Sequence, residues 1–220
     1  MANAEAVPVR TVGMALFPRE LRTERLRFRA ATPETVDPLT LYRHCSRDAP
    51  GVDDLTRYLT WEPHETPKET YDFLAGCETA FAEGEAANYV ISPREAPDEL
   101  AGMTALRPDW EHDRAGMGLW LRPSHRGQGY AGERARALAR VAFDRLDCNS
   151  LVVTVNVDNE PSLRAVRDYV DDLGGREEGR LRAFMRYEGG EVVDVVRFSV
   201  TRAEWAEATG APPASDLVVD

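Results

Sequence analysis

Residues 119–133 read LWLRPSHRGQGYAGE, which is the most informative stretch of the 220-residue chain. An apolar run ends at Leu121, a short polar bend follows, and Gly127 and Gly129 then precede a segment rich in Ala and Arg. Glycine lets the backbone approach a ligand closely, so successive N–H groups can point into one concavity at a helix N-terminus. Such a concavity binds phosphate through its donors and the helix dipole. The alternative is an ordinary tight loop between a strand and a helix.

Two common phosphate-binding loops do not fit this stretch. A dinucleotide fingerprint requires GxGxxG after the first strand of a βαβ unit, and a Walker A loop requires Gly-Lys-Ser/Thr. Residues 127–132 (GQGYAG) have the GxGxxG spacing, but they do not follow the first strand of a βαβ unit, and no Gly-Lys-Ser/Thr is present. The chain is therefore not predicted to be a generic nucleotide-binding domain.

Hydrophobic alternation and turn residues divide the rest of the chain into short elements. The pattern predicts strands over 21–30, 87–92, 99–106, 116–122, 151–157, 179–187 and 192–200, and helices over 32–47, 66–83, 132–146, 159–173 and 201–206. This order favours a single α/β domain over 18–206, with a mixed sheet and helices on its faces. Residues 1–17 and 207–220 are predicted to be N-terminal and C-terminal tails.

The charge balance narrows the choice of partners. The chain has 38 acidic and 27 basic residues, a net charge of −11, and Lys68 is its only lysine. Nucleic-acid binding needs a basic footprint, so nucleic acid is not expected as a partner, whereas a cationic amine would be attracted. An acidic, lysine-poor surface also suits a halophilic host, because a salt-rich cytoplasm screens repulsion. GC-rich codon usage is the alternative explanation for the preference for arginine.

The remaining composition indicates a cytoplasmic protein. Cys45, Cys77 and Cys148 form no CxxC pattern, so neither a metal site nor a disulfide framework is predicted. The sequence contains no apolar run long enough to span a membrane and no signal-peptide pattern at its start. We expect free thiols in a reducing compartment.

The loop resembles the pyrophosphate loop of the GNAT acetyltransferase superfamily, which reads Gln/Arg-x-x-Gly-x-Gly/Ala; Arg126, Gly129 and Ala131 match it. The chain is most similar to the RimJ/RimL-type branch. Further segments carry this resemblance: 21–26 (LRTERL), 118–121 (GLWL), 159–162 (NEPS), 178–182 (EGRLR) and 204–205 (EW). The resemblance implies the GNAT fold, a twisted, mixed but mostly antiparallel sheet of six to seven strands flanked by helices.

The resemblance also implies an activity and a cofactor. The family transfers an acetyl group from acetyl-CoA, used as a co-substrate without a metal, to a primary amine of a protein N-terminus or a small molecule. The residues that match its cofactor-binding positions are Leu119, Trp120, Leu121, Arg126, Gly127, Gln128, Gly129, Tyr130, Ala131, Asn159 and Ser162. A catalytically inactive acyl-CoA-binding sensor or scaffold is the alternative, and a homodimer is an option by analogy.

For catalysis, the resemblance points to Ser162 as the group that protonates the leaving thiolate, directly or through a water. Tyr169, further along the same predicted helix, is a rival acid at an irregular spacing. Ser162 has a simpler alternative role as a first-turn serine with local hydrogen bonds, and Asn159 as a helix N-cap.

The sequence departs from the family at Gly116, where the branch often carries a carboxylate. Glu111, His112 and Asp113 are candidate substitutes if their loop folds over the amine, with solvated loop residues as the alternative. Trp61 and His64, between the first two predicted helices, match a region that lines the amine site in related enzymes. Packing and exposure are the simpler explanations for these two side chains.

Overall fold

The chain folds around one sheet. The structure is a computed structural model that describes residues 15–187, 189–210 and 218–219. Within these ranges nine strands pair in the order β7-β8-β6-β5-β4-β3-β2-β1-β9. The strands are β1 Glu20–Arg22, β2 Leu26–Ala30, β3 Ala87–Pro93, β4 Gly102–Asp109, β5 Arg114–Leu121, β6 Ser150–Asn156, β7 Arg176–Arg186, β8 Val192–Thr201 and β9 Val218–Val219. All neighbouring pairs are antiparallel except β5 and β6, which are parallel.

The predicted fold class is confirmed, and the sheet has more strands than the expected six to seven. The predicted strand 21–30 is two strands, because the Thr23 N–H bonds the Leu26 carbonyl and reverses the chain. A further short strand, β9, pairs with the other edge of β1. The sequence gives no periodicity signal for β1 or β9, because each of these strands is too short for apolar and polar residues to alternate clearly.

Six α-helices accompany the sheet in the described ranges. They are α1 Pro38–Cys45, α2 Val52–Thr56, α3 Pro67–Glu83, α4 Tyr130–Arg140, α5 Glu160–Asp172 and α6 Arg202–Thr209. The limits of α3 follow from local chemistry: Thr66 accepts from the Glu69 N–H at its start, and Gly84 ends it at φ 77°. A π-helical turn, Val141–Arg145, continues α4.

The predicted start of the first helix is wrong. The 32–34 signature forms a turn, because the Thr35 hydroxyl bonds back to the Ala30 carbonyl and competes with helical bonding. The helix begins after Asp37, whose carboxylate accepts from the Leu39 and Thr40 N–H groups. The break predicted over 48–54 also contains the start of α2, capped by Gly51 at φ 76°.

Helices cover both faces of the sheet. On one face α4 and α5 bury side chains such as Leu138 and Val166 against Leu151 and Phe198. We call the opposite face, which is covered by α1 and α3, the α1/α3 face; its buried residues are Ala31, Val36, Leu41, Cys45, Leu74, Cys77, Val90, Leu100 and Met103. Each fully buried aliphatic side chain contributes roughly 1.5–3 kcal/mol to the free energy of unfolding. Burial against the helices on both faces therefore determines which face of the sheet each strand residue occupies.

The predicted tails are only partly described. Residues 1–14, 211–217 and 220 lie outside the described residues. Phe17 is fully buried, and α6 extends to Thr209, beyond the domain boundary predicted at 206. None of the helices in the described ranges has the length and apolarity needed to cross a bilayer.

Candidate active site

A gap opens between the two parallel strands. β5 and β6 pair only from Arg114↔Ser150 to Gly116↔Val152. Beyond these pairs β5 continues to Leu121 and β6 to Asn156 without pairing to each other. The carboxyl ends of two parallel strands lie at the same edge of a sheet, so the loops that follow both strands meet at the mouth of this gap.

Backbone groups of β5 point into the gap. The Gly118 carbonyl accepts from Thr104 on the β4 side, and the Arg122 N–H donates to Ala101 on that side. Backbone groups of successive strand residues point to alternate sides. The last β5–β6 pair, Gly116↔Val152, still uses the Met117 N–H, so the N–H group of Leu119 is the next one that faces β6 beyond the pairing and can donate to a ligand in the gap.

The loop after β5 presents an uncapped helix N-terminus. Gly127 and Gly129 adopt φ 74° and φ 78°, which other residues adopt only with strain, and both are exposed. Helix α4 begins at Tyr130 with no side-chain cap on its first turn. The first N–H groups of a helix lack intrahelical partners, so this end suits an anion. The Arg126 N–H is not available, since it donates to the Pro123 carbonyl.

Side chains around the loop maintain its shape. Arg126 Nε donates to the Leu121 carbonyl at 3.0 Å, and Gln128 Nε2 donates to the Ser124 carbonyl at 2.9 Å. Arg25 Nη1 donates to the Gln128 carbonyl at 2.8 Å. The Arg126 side chain, expected to contact the ligand, thus uses one of its five N–H donors to hold the end of β5.

Glu133 anchors this arrangement. Its carboxylate accepts from Thr23 Oγ1 at 2.5 Å, from the Arg25 N–H at 2.8 Å and from Arg25 Nε at 2.7 Å. Burial alone would raise the pKa of Glu133, but the hydrogen bonds from Thr23 and Arg25 outweigh it, so the net pKa is lowered. The segment 21–26 (LRTERL), which carries part of the family resemblance, is therefore tied directly to the helix that follows the loop.

A basic cavity lies beside the loop. It has a volume of about 520 Å³ and is lined by Thr23, Glu24, Arg25, Glu133, Arg136, Ala137 and Arg140. It is separate from the gap between β5 and β6, so it is not where an acetyl group would react. Its three arginines suit a phosphorylated part of a ligand held by the loop.

Asn159 and Ser162 lie at the mouth of the gap, after β6. Asn159 Oδ1 accepts from the Ser162 N–H at 3.2 Å, so Asn159 is the N-cap of α5, which is the simpler role predicted for it from the sequence. Within the described residues the Ser162 hydroxyl makes no hydrogen bond, and the side chain is half-buried. The local hydrogen bond proposed as its simpler role is therefore not observed, and its hydroxyl is available to a ligand.

Tyr169 is not brought to Ser162. It lies seven positions along α5, about 10 Å along the axis, and is only 3% exposed. The Arg134 guanidinium carbon lies 5.5 Å from its ring centroid, and Arg134 is itself 2% exposed. Burial raises the pKa of Tyr169. This geometry suits a structural pair between α4 and α5.

Trp61 lies where an acceptor would enter. Its ring centroid is 6.2 Å from that of Trp120, which lies on the α1/α3 face of β5. From the same segment, the Tyr58 hydroxyl donates to the Asp158 carbonyl just after β6. This segment therefore contacts both sides of the gap. His64 lies beside Trp61, with ring centroids 5.9 Å apart, and its Nδ1 is 2.7 Å from Thr70 Oγ1.

Glu111 and His112 are far from the loop. They lie in the turn between β4 and β5, at the end of β5 opposite to Leu121. His112 Nδ1 is 2.9 Å from Asp109 Oδ1, and both side chains are exposed. The structure therefore does not bring either residue together with Ser162.

Sequence reasoning missed Arg107, and it assigned the segment 58–64 to the acceptor side without singling out Tyr58. Arg107 lies directly opposite Gly116 in the β4–β5 ladder, just beyond the predicted end of that strand. Had the strand been extended to Asp109, the alternation would have placed Arg107 on the same face as Met103. The Tyr58 contact is with a residue 100 positions away and leaves no local signal.

A splayed parallel pair, followed by an uncapped glycine loop, defines an α/β fold with a candidate anion-binding site between two strand ends. The chain matches the family model described as Acetyltransferase (GNAT) domain over residues 25–169, and it belongs to this family. It is 28% identical over 187 residues to the uncharacterized N-acetyltransferase p20 of Bacillus licheniformis, covering 84% of this chain and 98% of p20.

Solved structures share the fold. A crystal structure of RimL, a ribosomal L7/L12 alpha-N-protein acetyltransferase, matches with a TM-score of 0.68 and 22% identity, covering 89% of this chain and 99% of that one. An acetyltransferase from Salmonella typhimurium that modifies the N-terminal serine of L7/L12 matches with a TM-score of 0.67 and 23% identity, covering 81% and 96%. The family predicted from the sequence motifs is confirmed.

Proposed function

We propose that this GNAT protein transfers an acetyl group from acetyl-CoA to a primary amine in a ternary complex, without a metal. The observation that carries the proposal is the gap between β5 and β6, which opens onto the uncapped N-terminus of α4. A pantetheine arm fits such a gap as an additional strand. Its pyrophosphate would lie on the exposed N–H groups of the loop, with the arginine-lined cavity beside it.

In the proposed reaction the amine nitrogen attacks the thioester carbonyl carbon, so the N–C bond forms and the C–S bond breaks. The N–H group of Leu119 stabilises the oxyanion, since it points into the gap beyond the last pair between β5 and β6. The departing thiolate takes a proton from the Ser162 hydroxyl or from a water bound to it, and this donor regains its proton from the solvent that receives the proton of the amine. Asn159 Nδ2 is a donor for the arm, because its Oδ1 is already used in capping α5.

No carboxylate at position 116 can accept the proton of the amine, because the chain has glycine there. We propose that the acceptor binds as the neutral amine, or loses its proton to water. The value of kcat/KM should then rise with pH until it passes the pKa of the acceptor amine itself. A profile that levels off at a lower pH, the same for every acceptor, would instead indicate a protein base.

The acceptor would reach the gap from the α1/α3 face, where Trp61 covers Trp120. The two solved structures described above are named as acetyltransferases of ribosomal proteins, which favours a protein N-terminus among the acceptors to be tried. Glu111 and His112 play no direct part in this proposal, given their positions, whereas His64 lies beside Trp61 and stays a candidate for lining the acceptor side. Cytoplasmic location and adaptation to high salt stay as hypotheses, as does a homodimer.

The test is thiol release from acetyl-CoA with N-terminal peptides, polyamines and small amines, in low and in multi-molar potassium chloride. We expect release that depends on one acceptor class and falls about 10- to 100-fold in Ser162→Ala. Thr79→Ala is the matched control, because it deletes an exposed hydroxyl on α3 that bonds only the Ala75 carbonyl. Binding of acetyl-CoA without release from any acceptor would favour the sensor alternative, and absence of binding would refute the proposal.

A further inference from the structure

The α1/α3 face of the gap carries an arginine that has no acidic partner. Arg107 lies on β4 opposite Gly116, and residues opposite each other in an antiparallel ladder share a face. The described residues give its guanidinium no ion pair or hydrogen bond, although the chain has 38 acidic side chains for 27 basic ones. Two other arginines on this face are paired: Arg114 with Asp109 at 2.9 Å and Arg197 with Glu178 at 2.7 Å.

Two glycines on β5 make room for this guanidinium. A Cβ built on Gly118 would lie 3.3 Å from Arg107 Nη1, so any side chain there would crowd it. Gly116 has open space, with the Arg107 carbonyl at 3.8 Å as the nearest atom to a built Cβ. The guanidinium thus lies over the part of β5 where pairing with β6 ends and the gap begins.

The surroundings of Arg107 keep it charged and accessible. The side chain is exposed to solvent on one side, while Cys77 of α3 lies near it on the other. Loss of hydration lowers the pKa of Arg107, but a guanidinium remains charged at any physiological pH. A charged fork of N–H donors beside a binding gap is the arrangement that recognises a carboxylate through paired hydrogen bonds.

We propose that Arg107 selects acceptors that carry a carboxylate close to the reacting amine. This inference rests on the proposed acetyl transfer at the same gap. A carboxylate at position 116 would face Arg107 across the ladder, but the chain has glycine there, so the partner comes from the substrate. Either the acidic side chain of a peptide N-terminus or the carboxylate of a small amino acid supplies this group.

The test compares acceptors that differ only in charge. One pair is a tripeptide amide beginning with aspartate or with asparagine, and the other pair is β-alanine or its amide. Binding to the CoA-saturated protein is measured by calorimetry, and thiol release from acetyl-CoA is measured separately. We expect the wild-type protein to bind the acidic member of at least one pair about 10-fold or more tightly, as a charge-assisted contact implies. The pair that shows the preference identifies the source.

Three variants sharpen the comparison. Arg107→Gln should lose the preference, with the loss confined to the acidic acceptor. Gly116→Glu should lose it as well, because its carboxylate would occupy Arg107 from within the protein, and the space at position 116 allows the side chain. Arg182→Gln, which removes an exposed arginine on the edge strand β7, should keep it.

The outcomes separate this inference from the proposed function. Equal binding of acidic and neutral acceptors by the wild-type protein, or equal losses for both in Arg107→Gln, would overturn the role of Arg107 even if thiol is released. A binding preference that disappears in Arg107→Gln would support the role even if no acceptor releases thiol. In that case only the proposed transfer would fail.

Discussion

Replacing Glu133 by glutamine should both destabilise the fold and weaken acetyl-CoA binding. The carboxylate accepts three hydrogen bonds, two of them from Arg25, and its side chain is only 9% exposed. Glutamine keeps one acceptor oxygen but turns an NH₂ group toward Arg25 Nε. The loss of one charge-assisted bond costs about 2 kcal/mol, reduced from the upper range because Arg25 is half exposed.

The size of the effect can be read from thermal and urea unfolding. For a chain of this length about 2 kcal/mol corresponds to a fall in Tm of roughly 4–8 °C. Asp72→Asn is the control, since it removes the exposed ion pair with Lys68 and should cost less than about 0.5 kcal/mol. The released Arg25 also loosens its bond to the Gln128 carbonyl, so the affinity for acetyl-CoA should fall about 5- to 10-fold.

The pH dependence gives an independent check. The pKa of Glu133 is lowered in the folded protein, so its ionised form contributes stability in full above the ordinary value of 4.5. That contribution is lost as the pH falls through the lowered pKa. The stability difference between wild type and Glu133→Gln should therefore be constant near neutrality and shrink in acid. A difference no larger than that of Asp72→Asn, or unchanged acetyl-CoA affinity, would refute the anchoring role.

Two further predictions concern the loop and the acceptor side. Gly127→Ala and Gly129→Ala each force a left-handed backbone on alanine at about 1 kcal/mol, which should weaken acetyl-CoA binding about 5-fold by calorimetry. Gly129→Ala should lower the affinity for acetyl-CoA more than Gly127→Ala, because its Cβ would lie 3.3 Å from Arg25 Nη2 while the space at position 127 is open. Equal losses of affinity in the two variants would argue against the Arg25 contact. Trp61→Ala should raise the KM of the acceptor roughly 10-fold and leave that of acetyl-CoA unchanged, because Trp61 contacts Trp120 on the acceptor side. An increase in both KM values would place Trp61 in the general packing.

The sequence predicts best those features whose cause is local. Helix α3 has Thr66 as its cap and Gly84 as its end, and both lie within one turn of the residues they affect. The capping of α5 by Asn159 and the glycine loop are equally local. These signals place the candidate cofactor site, because the loops after β5 and β6 are read directly from residue type.

Competing signals explain the main error in the fold. The chain offers two similar helix starts, Thr32-Pro33 and Asp37-Pro38, only five positions apart. No helix begins at the first of these, because the Thr35 hydroxyl donates to the Ala30 carbonyl and holds residues 32–35 as a turn at the end of β2. A periodicity argument does not distinguish the two, since the choice depends on where the preceding strand stops.

The acceptor side is predicted least well, because its geometry depends on pairs far apart in sequence. Arg107 becomes significant only when the β4–β5 register places it beside Gly116 and Gly118. Conversely, His112 looks suitable by residue type, yet the same register places it in a turn at the other end of β5 with Asp109. Residue type suggested candidates, and strand register decided between them.

The uncapped N-terminus of α4 has a consequence for turnover in the cell. Its N–H groups would bind the pyrophosphate, which is identical in acetyl-CoA and in the CoA that remains after acetyl transfer. Spent CoA should therefore bind nearly as well as the charged cofactor and compete with it. We expect the reaction velocity to follow the ratio of acetyl-CoA to CoA more than the concentration of either, which would make this chain responsive to the carbon supply of its host.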